Sequence, residues 1–108
     1  MLLEDLQTAI INISSSGDNT IIAAPGAGKY LAIDHINLIP TSAVTLTFKK
    51  DTTAISGPYP LDAKQTMAID NAMQAQKGVI TCTDNTLFNI NLGSTVQVGG
   101  FVRFRIVG

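Results

Sequence analysis

Short runs of alternating apolar and polar residues, separated by turn-forming residues about every ten positions, constrain this chain more than any other feature. In the run 43–50, Val44, Leu46 and Phe48 alternate with Thr and Lys, and the runs 86–92 and 101–107 repeat the pattern. A period of two places successive side chains on opposite faces of a strand, so each run predicts a strand with one buried face. A helical period is nearly absent, and the chain is therefore expected to be all-β.

The spacing of these runs predicts an antiparallel sandwich or barrel, and a jelly-roll-like β-sandwich with little or no helix is the form we expect. Without crossover helices, a parallel α/β fold is excluded. About eight short strands are expected, because the short run 53–56 leads directly into "GPYP" and reads as one candidate too many. The nine candidates are 7–14, 19–24, 29–39, 43–50, 53–56, 66–70, 78–83, 86–92 and 97–107.

The long candidate strand 29–39 changes phase in its middle. Apolar residues occupy odd positions up to Ile33 and even positions from Ile36 onwards. One extra residue in a strand shifts the alternation by one position, which is what a β-bulge does. A bulge near Asp34-His35 is therefore predicted.

The stretch "PGAGK" superficially resembles a phosphate-binding loop. Such a loop needs a glycine five residues before Gly28 and a Ser or Thr after Lys29, but Ala23 and Tyr30 occupy these positions. It also needs a following helix, whereas the residues that follow are typical of a strand. The stretch is predicted to be a structural turn.

Composition excludes several classes of protein. The 108 residues suffice for one domain, and a net charge of −1 provides no electrostatic footprint for nucleic acid. No apolar run approaches the ~20 residues of a membrane helix, and the N-terminus lacks the features of a signal peptide. We expect synthesis in the cytoplasm without export, an N-terminal contact arm over 1–7 and a single sandwich domain over 8–108.

No catalytic, cofactor-binding or metal-binding residues can be assigned from the sequence. The only histidine, His35, has no partner at metal-ligand spacing, and a structural role is favoured over a pH-sensitive contact. The single Cys82 reads as a small strand residue. An enzyme with a small-molecule substrate is not expected.

Candidate contact residues come from three places. Phe101, Arg103 and Arg105 share the outward side of the last strand, although a solvated face is an equally good interpretation. A charged turn is the simpler interpretation of the lysines near Asp51, and exposed leucines at the N-terminus suggest a contact. The candidate interface is Leu2, Leu3, Leu6, Lys49, Lys50, Phe101, Arg103 and Arg105.

Three stretches, "IIAAPGAGKYLAID", "AVTLTFKKDTTAISGPYPL" and "LFNINLGSTVQVGGFVRFRIV", together resemble small capsid decoration (cement) proteins of tailed bacteriophages. The resemblance implies a compact β-sandwich, usually a homotrimer, on the outside of an assembled capsid. The implied partner is the major capsid protein, and the implied location is the virion. No catalytic residues belong to such a family, so none are carried over.

Two other classes remain open. A receptor- or glycan-binding module of a head fibre or tail fibre would have the same fold, but it should carry exposed aromatic residues in long loops. A small hydrolase would need a nucleophile and a base within reach of each other.

Overall fold

A computed structural model describes residues 6–70 and 79–108, which form two antiparallel sheets packed face to face. No helix occurs in these two ranges. The predicted all-β sandwich is thus confirmed. The strands are β1 (Gln7–Ile13), β2 (Gly17–Ile22), β3 (Tyr30–Pro40), β4 (Val44–Lys50), β5 (Thr53–Ala54), β6 (Tyr59–Leu61), β7 (Met67–Asp70), β8 (Ile80–Cys82), β9 (Phe88–Leu92) and β10 (Val98–Val107).

The order of the strands is that of a jelly roll. The first sheet has the order β1-β10-β3, with β7 and β8 both pairing with β3, and the second has the order β2-β9-β4, with β5 and β6 both pairing with β4. Counting β5 with β6 and β7 with β8 leaves eight strand positions, which pass between the sheets as in a double Greek key. The expectation of about eight strands holds in this sense.

The expectation that one of the nine candidates would not be a strand is wrong. Each candidate contains a strand, and the structure adds β6, which begins within "GPYP". Pro60 cannot donate a backbone hydrogen bond, but β6 lies at the edge of its sheet beside β4. Proline is tolerated at a sheet edge because its missing donor faces away from the neighbouring strand.

The core lies between the sheets and follows the predicted alternation. Phe48 and Phe88 stack with ring centroids 5.9 Å apart, and Tyr59 packs against Phe48 at 5.5 Å. Residues of both sheets close around these rings. The predicted core residues Val44, Leu46, Phe48, Phe88, Ile90, Val102 and Phe104 are buried, and Ile106 packs half-buried against them.

The predicted bulge is present in β3. Arg103 of β10 lies opposite His35, and the next residue, Phe104, lies opposite Ile33, so Asp34 is the extra residue. The bulge lets Ile33 and Ile36 both point into the core although their positions differ in parity.

The "PGAGK" stretch is a turn that enters a strand, as predicted. Gly26 and Gly28 have φ angles of 117° and 78°, which other residues rarely adopt. The N–H of Lys29 donates to the carbonyl of Gly26 at 3.2 Å, and β3 begins one residue later.

Gly100 allows β10 and β3 to approach closely. A Cβ atom at this position would lie 1.9 Å from the carbonyl oxygen of Asn37, which belongs to the backbone of β3 and cannot turn away. Its φ of 150° also disfavours other residues.

Gly100→Ala is therefore expected to lower the free energy of unfolding by at least about 2 kcal/mol, because the backbone of two paired strands must separate. Gly57→Ala is the control, since nothing lies within 4 Å of a Cβ atom there. Urea denaturation of both variants measures the effect. Equal midpoints for the two variants would contradict the close approach.

Candidate functional site

The outer face of the second sheet is polar and bonded to itself. Asp18 of β2 accepts hydrogen bonds from Asn91 Nδ2 at 2.7 Å and from Lys49 Nζ at 3.0 and 3.1 Å. The hydrogen bond from Asn91, followed by that from Lys49, lowers the pKa of Asp18. This face therefore satisfies its own charges with groups from three neighbouring strands.

The two candidate lysines belong to this second sheet. Lys49 is held by Asp18, and Lys50 Nζ donates to Thr83 Oγ1 at 3.1 Å. Both side chains are half-buried. The structure does not bring them together with Phe101 or Arg103, because those residues lie on the first sheet on the other side of the core.

The outer face of the first sheet, by contrast, exposes large apolar side chains among its polar ones. The exposed large hydrophobic residues of the described chain all lie here: Leu6, Ile10 and Ile39, with exposed fractions of 43%, 78% and 42%. Ile10 lies directly opposite the half-buried Phe101 on the neighbouring strand, and Ile39 lies diagonally across from Phe101. We call Leu6, Ile10, Ile39 and Phe101 the apolar patch. Contiguous exposed apolar side chains usually mark a contact surface.

Charged and aromatic groups border the apolar patch. The rings of His35 and Phe101 stack at 5.4 Å, and the Arg103 guanidinium lies 5.7 Å from the centre of the Phe101 ring. His35 Nδ1 is 3.5 Å from Asp70 Oδ1. With Leu6 and Asp34, these residues line a depression of about 360 Å³. The structure thus brings together three of the predicted contact residues, Leu6, Phe101 and Arg103.

Arg105 is not at the surface, and the expectation that it is exposed is wrong. It lies on the outer side of β10 as predicted, but only 6% of it is exposed. Its Nε and Nη2 atoms donate to the two carboxylate oxygens of Asp34, at 2.5 and 2.9 Å. Asp34 is 3% exposed, so the pair is buried on both sides. A buried arginine held in such a two-point ion pair is not available to a partner.

Replacing Arg105 alone should be costly, because the buried Asp34 carboxylate would lose the positive charge that faces it. Arg105→Met is expected to lower the free energy of unfolding by about 3–5 kcal/mol. Arg103→Met, at an exposed position of the same strand, should cost less than about 1 kcal/mol. Denaturant titration measures both. The double variant Asp34→Asn, Arg105→Met should be more stable than Arg105→Met, and equal losses for the two single Arg variants would contradict the role of the buried pair.

Two residues of the apolar patch were missed by the sequence analysis although the sequence contains a signal for them. Ile10 and Ile39 occupy outward positions of their strands, where the alternation calls for polar residues. An apolar residue at an outward position is the pattern that could have identified them. Leu2 and Leu3 lie outside the described residues.

The groups capable of chemistry do not converge. Cys82 is fully buried and faces the core, whereas His35 faces outward from the same sheet. Within residues 6–70 and 79–108, no three His, Cys, Asp or Glu side chains are close enough to share a metal ion. The same ranges hold no helix that is long and apolar enough to cross a membrane.

Burial raises the pKa of the Cys82 thiol to about 11. At about pH 8 only about one thiol in a thousand would be ionised even if the reagent could reach it, and the thiolate is the reactive form. We expect Ellman's reagent to label the native protein very slowly and the guanidinium-unfolded protein within minutes. Since the chain has one cysteine, the signal is unambiguous. Rapid labelling of the folded protein would show that β8 opens or is placed differently.

A scan against models of known protein families found no match, and a comparison with curated protein sequences found no significant relative. What this chain does is therefore inferred from its own residues and surfaces.

Proposed function

We propose that this protein is a virion structural protein, a capsid decoration protein that binds the outer surface of an assembled phage head and stabilises it. The observation that carries the proposal is the difference between the two outer faces of the sandwich. On one face Asp18 is bonded to Asn91 and Lys49, while the other face exposes Leu6, Ile10 and Ile39 near Phe101. In this proposal the chain is not an enzyme.

The apolar patch has the composition of a protein contact. Aromatic residues and arginine are enriched in interfaces, and here Arg103 lies beside the patch at the exposed end of a cation–π contact with Phe101. Strands β2, β4 and β9 of the second sheet offer no comparable surface, because their outward groups are Thr, Asn, Asp and Lys. The proposed partner is the major capsid protein, which would cover the patch.

The proposal includes a homotrimer. β1 forms an edge of the first sheet, and its seven residues contain neither proline nor lysine. Natural proteins rarely leave a long edge strand open, because it can pair with other chains. Association of three copies would protect such edges and would present three patches to the shell at once. Several weak contacts then act together if their spacing matches that of the capsid.

A second candidate is a glycan-binding fibre module of the same fold. One observation favours it, an open pocket beside Tyr30 at one end of the sandwich. Such a module and a decoration protein can be distinguished, because only the latter needs an assembled capsid as its partner.

The test is to measure trimer mass and capsid binding separately, using light scattering and co-sedimentation with expanded capsids that lack this protein. Ile10→Asp should weaken capsid binding at least tenfold, because burying an isoleucine contributes about 1.5–3 kcal/mol. Thr20→Asp is the matched control, since Thr20 is an exposed outward residue on the edge strand of the second sheet.

Binding by wild type and Thr20→Asp but not by Ile10→Asp would support the proposal. Equal binding by all three proteins would remove the apolar patch from the contact, and a monomeric wild type would refute the trimer. Because the contact is mainly apolar, binding should persist in 1 M salt. Its loss in salt would contradict an apolar contact and indicate Arg103.

A further inference from the structure

A second pocket lies away from the apolar patch, at the end of the sandwich where β3 begins and β8 ends. It has a volume of about 510 Å³, within the range of ~300–1,000 Å³ that is usual for ligand pockets. We call it the loop pocket. It is lined by Ala27, Gly28, Lys29, Tyr30, Thr81, Thr83, Asp84 and Asn85, none of which belongs to the apolar patch.

The two loops that form this pocket are fastened to each other. Asn85 Oδ1 accepts a hydrogen bond from the N–H of Gly26 at 2.7 Å, and the N–H of Asn85 donates to the carbonyl of Lys29 at 2.9 Å. Asp84 and Asn85 both have positive φ angles, 59° and 57°. Such backbone is uncommon for residues other than glycine and persists only where its surroundings hold it. The loop pocket is therefore preformed in the absence of a ligand.

Some polar groups of the loop pocket are not used by the fold, although Thr83 Oγ1 accepts a hydrogen bond from Lys50 Nζ. In the described structure no hydrogen bond or ion pair engages Lys29 Nζ, the Tyr30 hydroxyl or the Asp84 carboxylate. Asn85 uses its oxygen, which leaves its amide Nδ2 without an acceptor. A ligand would thus meet three donors and a carboxylate acceptor beside a half-buried aromatic ring.

The charges select the class of ligand. A phosphate or other anion would be attracted by Lys29 but repelled by Asp84. A metal ion or amine would be attracted by Asp84 but repelled by Lys29. A neutral molecule with several hydroxyl groups satisfies both, because each hydroxyl donates one hydrogen bond and accepts others. A tyrosine ring can also contribute apolar contact area to a sugar.

We propose that the loop pocket binds a neutral saccharide. Asp84 accepts hydrogen bonds from sugar hydroxyls, Lys29 and the Asn85 amide donate to them, and Tyr30 supplies contact area. The site is open, since Lys29, Asp84 and Asn85 are exposed, so a sugar unit of a longer glycan could enter it. This assigns a role to the "PGAGK" turn that does not involve a nucleotide. It is independent of capsid binding, because the two surfaces share no residue.

The test is saturation-transfer NMR followed by calorimetry, with a panel of neutral monosaccharides and short oligosaccharides as probes. A dissociation constant on the order of millimolar is expected for the best single sugar. Asp84→Gly should weaken binding at least tenfold, while glycine relieves the positive φ at this position and keeps the loop folded. Lys29→Ala should also weaken binding of the sugar.

Asp51→Gly is the matched control, because Asp51 is also an exposed aspartate with a positive φ, 51°, but does not line the pocket. It should bind the same sugar with unchanged affinity. Ile10→Asp should also bind it unchanged, which separates this site from the capsid contact. Inorganic phosphate and Mg-ATP are the competing probes, and neither is expected to bind.

Absence of binding by every sugar of the panel at about 10 mM, ten times the expected dissociation constant, would overturn the proposal. Equal affinities of wild type and Asp84→Gly would also overturn it, since the sugar would then bind elsewhere. Phosphate binding that is abolished by Lys29→Ala, without sugar binding, would make the pocket an anion site instead.

Discussion

The pairing of β3 with β10 is the constraint on which the rest of the structure depends. These two strands form the centre of the first sheet and meet over nearly their whole length. The inward residues of β3 change parity at Asp34, so the two strands can stay paired only if one residue is skipped. Arg105 holds the skipped Asp34 through two hydrogen bonds, and Gly100 lets the backbones approach beyond it.

This pairing also shapes the outer face of the first sheet. The bulge places Asp34 and His35 on the same outer side, where Asp34 binds Arg105 and His35 stacks on Phe101. The charge of one of the two outward arginines is therefore neutralised inside the protein, while that of Arg103 stays accessible. The surface that remains exposes Ile10 and Ile39, with the cation–π contact of Arg103 and Phe101 beside them.

The two proposed binding surfaces, the apolar patch and the loop pocket, depend on different physical interactions. A contact of the apolar patch would gain free energy from removing hydrocarbon surface from water, which is largely insensitive to salt. A sugar in the loop pocket would instead exchange hydrogen bonds with water for hydrogen bonds with groups on two loops that are already fastened to each other. Such preorganisation reduces the entropy lost on binding. A domain can carry both, because the face and the end of a sandwich are separate surfaces.

The sequence by itself determined the fold class, the core and the bulge, because the alternation of apolar and polar residues is a local property. A shift of one residue would move all apolar side chains of a strand from the core face to the solvent face. The sequence also indicated the turn at Gly28. It contained a signal for the exposed Ile10 and Ile39 as well, which the sequence analysis did not use. Only the tertiary structure decided that Arg105 is buried, since its partner Asp34 is 71 residues away in the chain. The loop pocket was equally beyond reach, because Lys29 and Asp84 become neighbours only when β8 pairs with β3. Burial and proximity depend on which distant strands meet, and no local pattern encodes that.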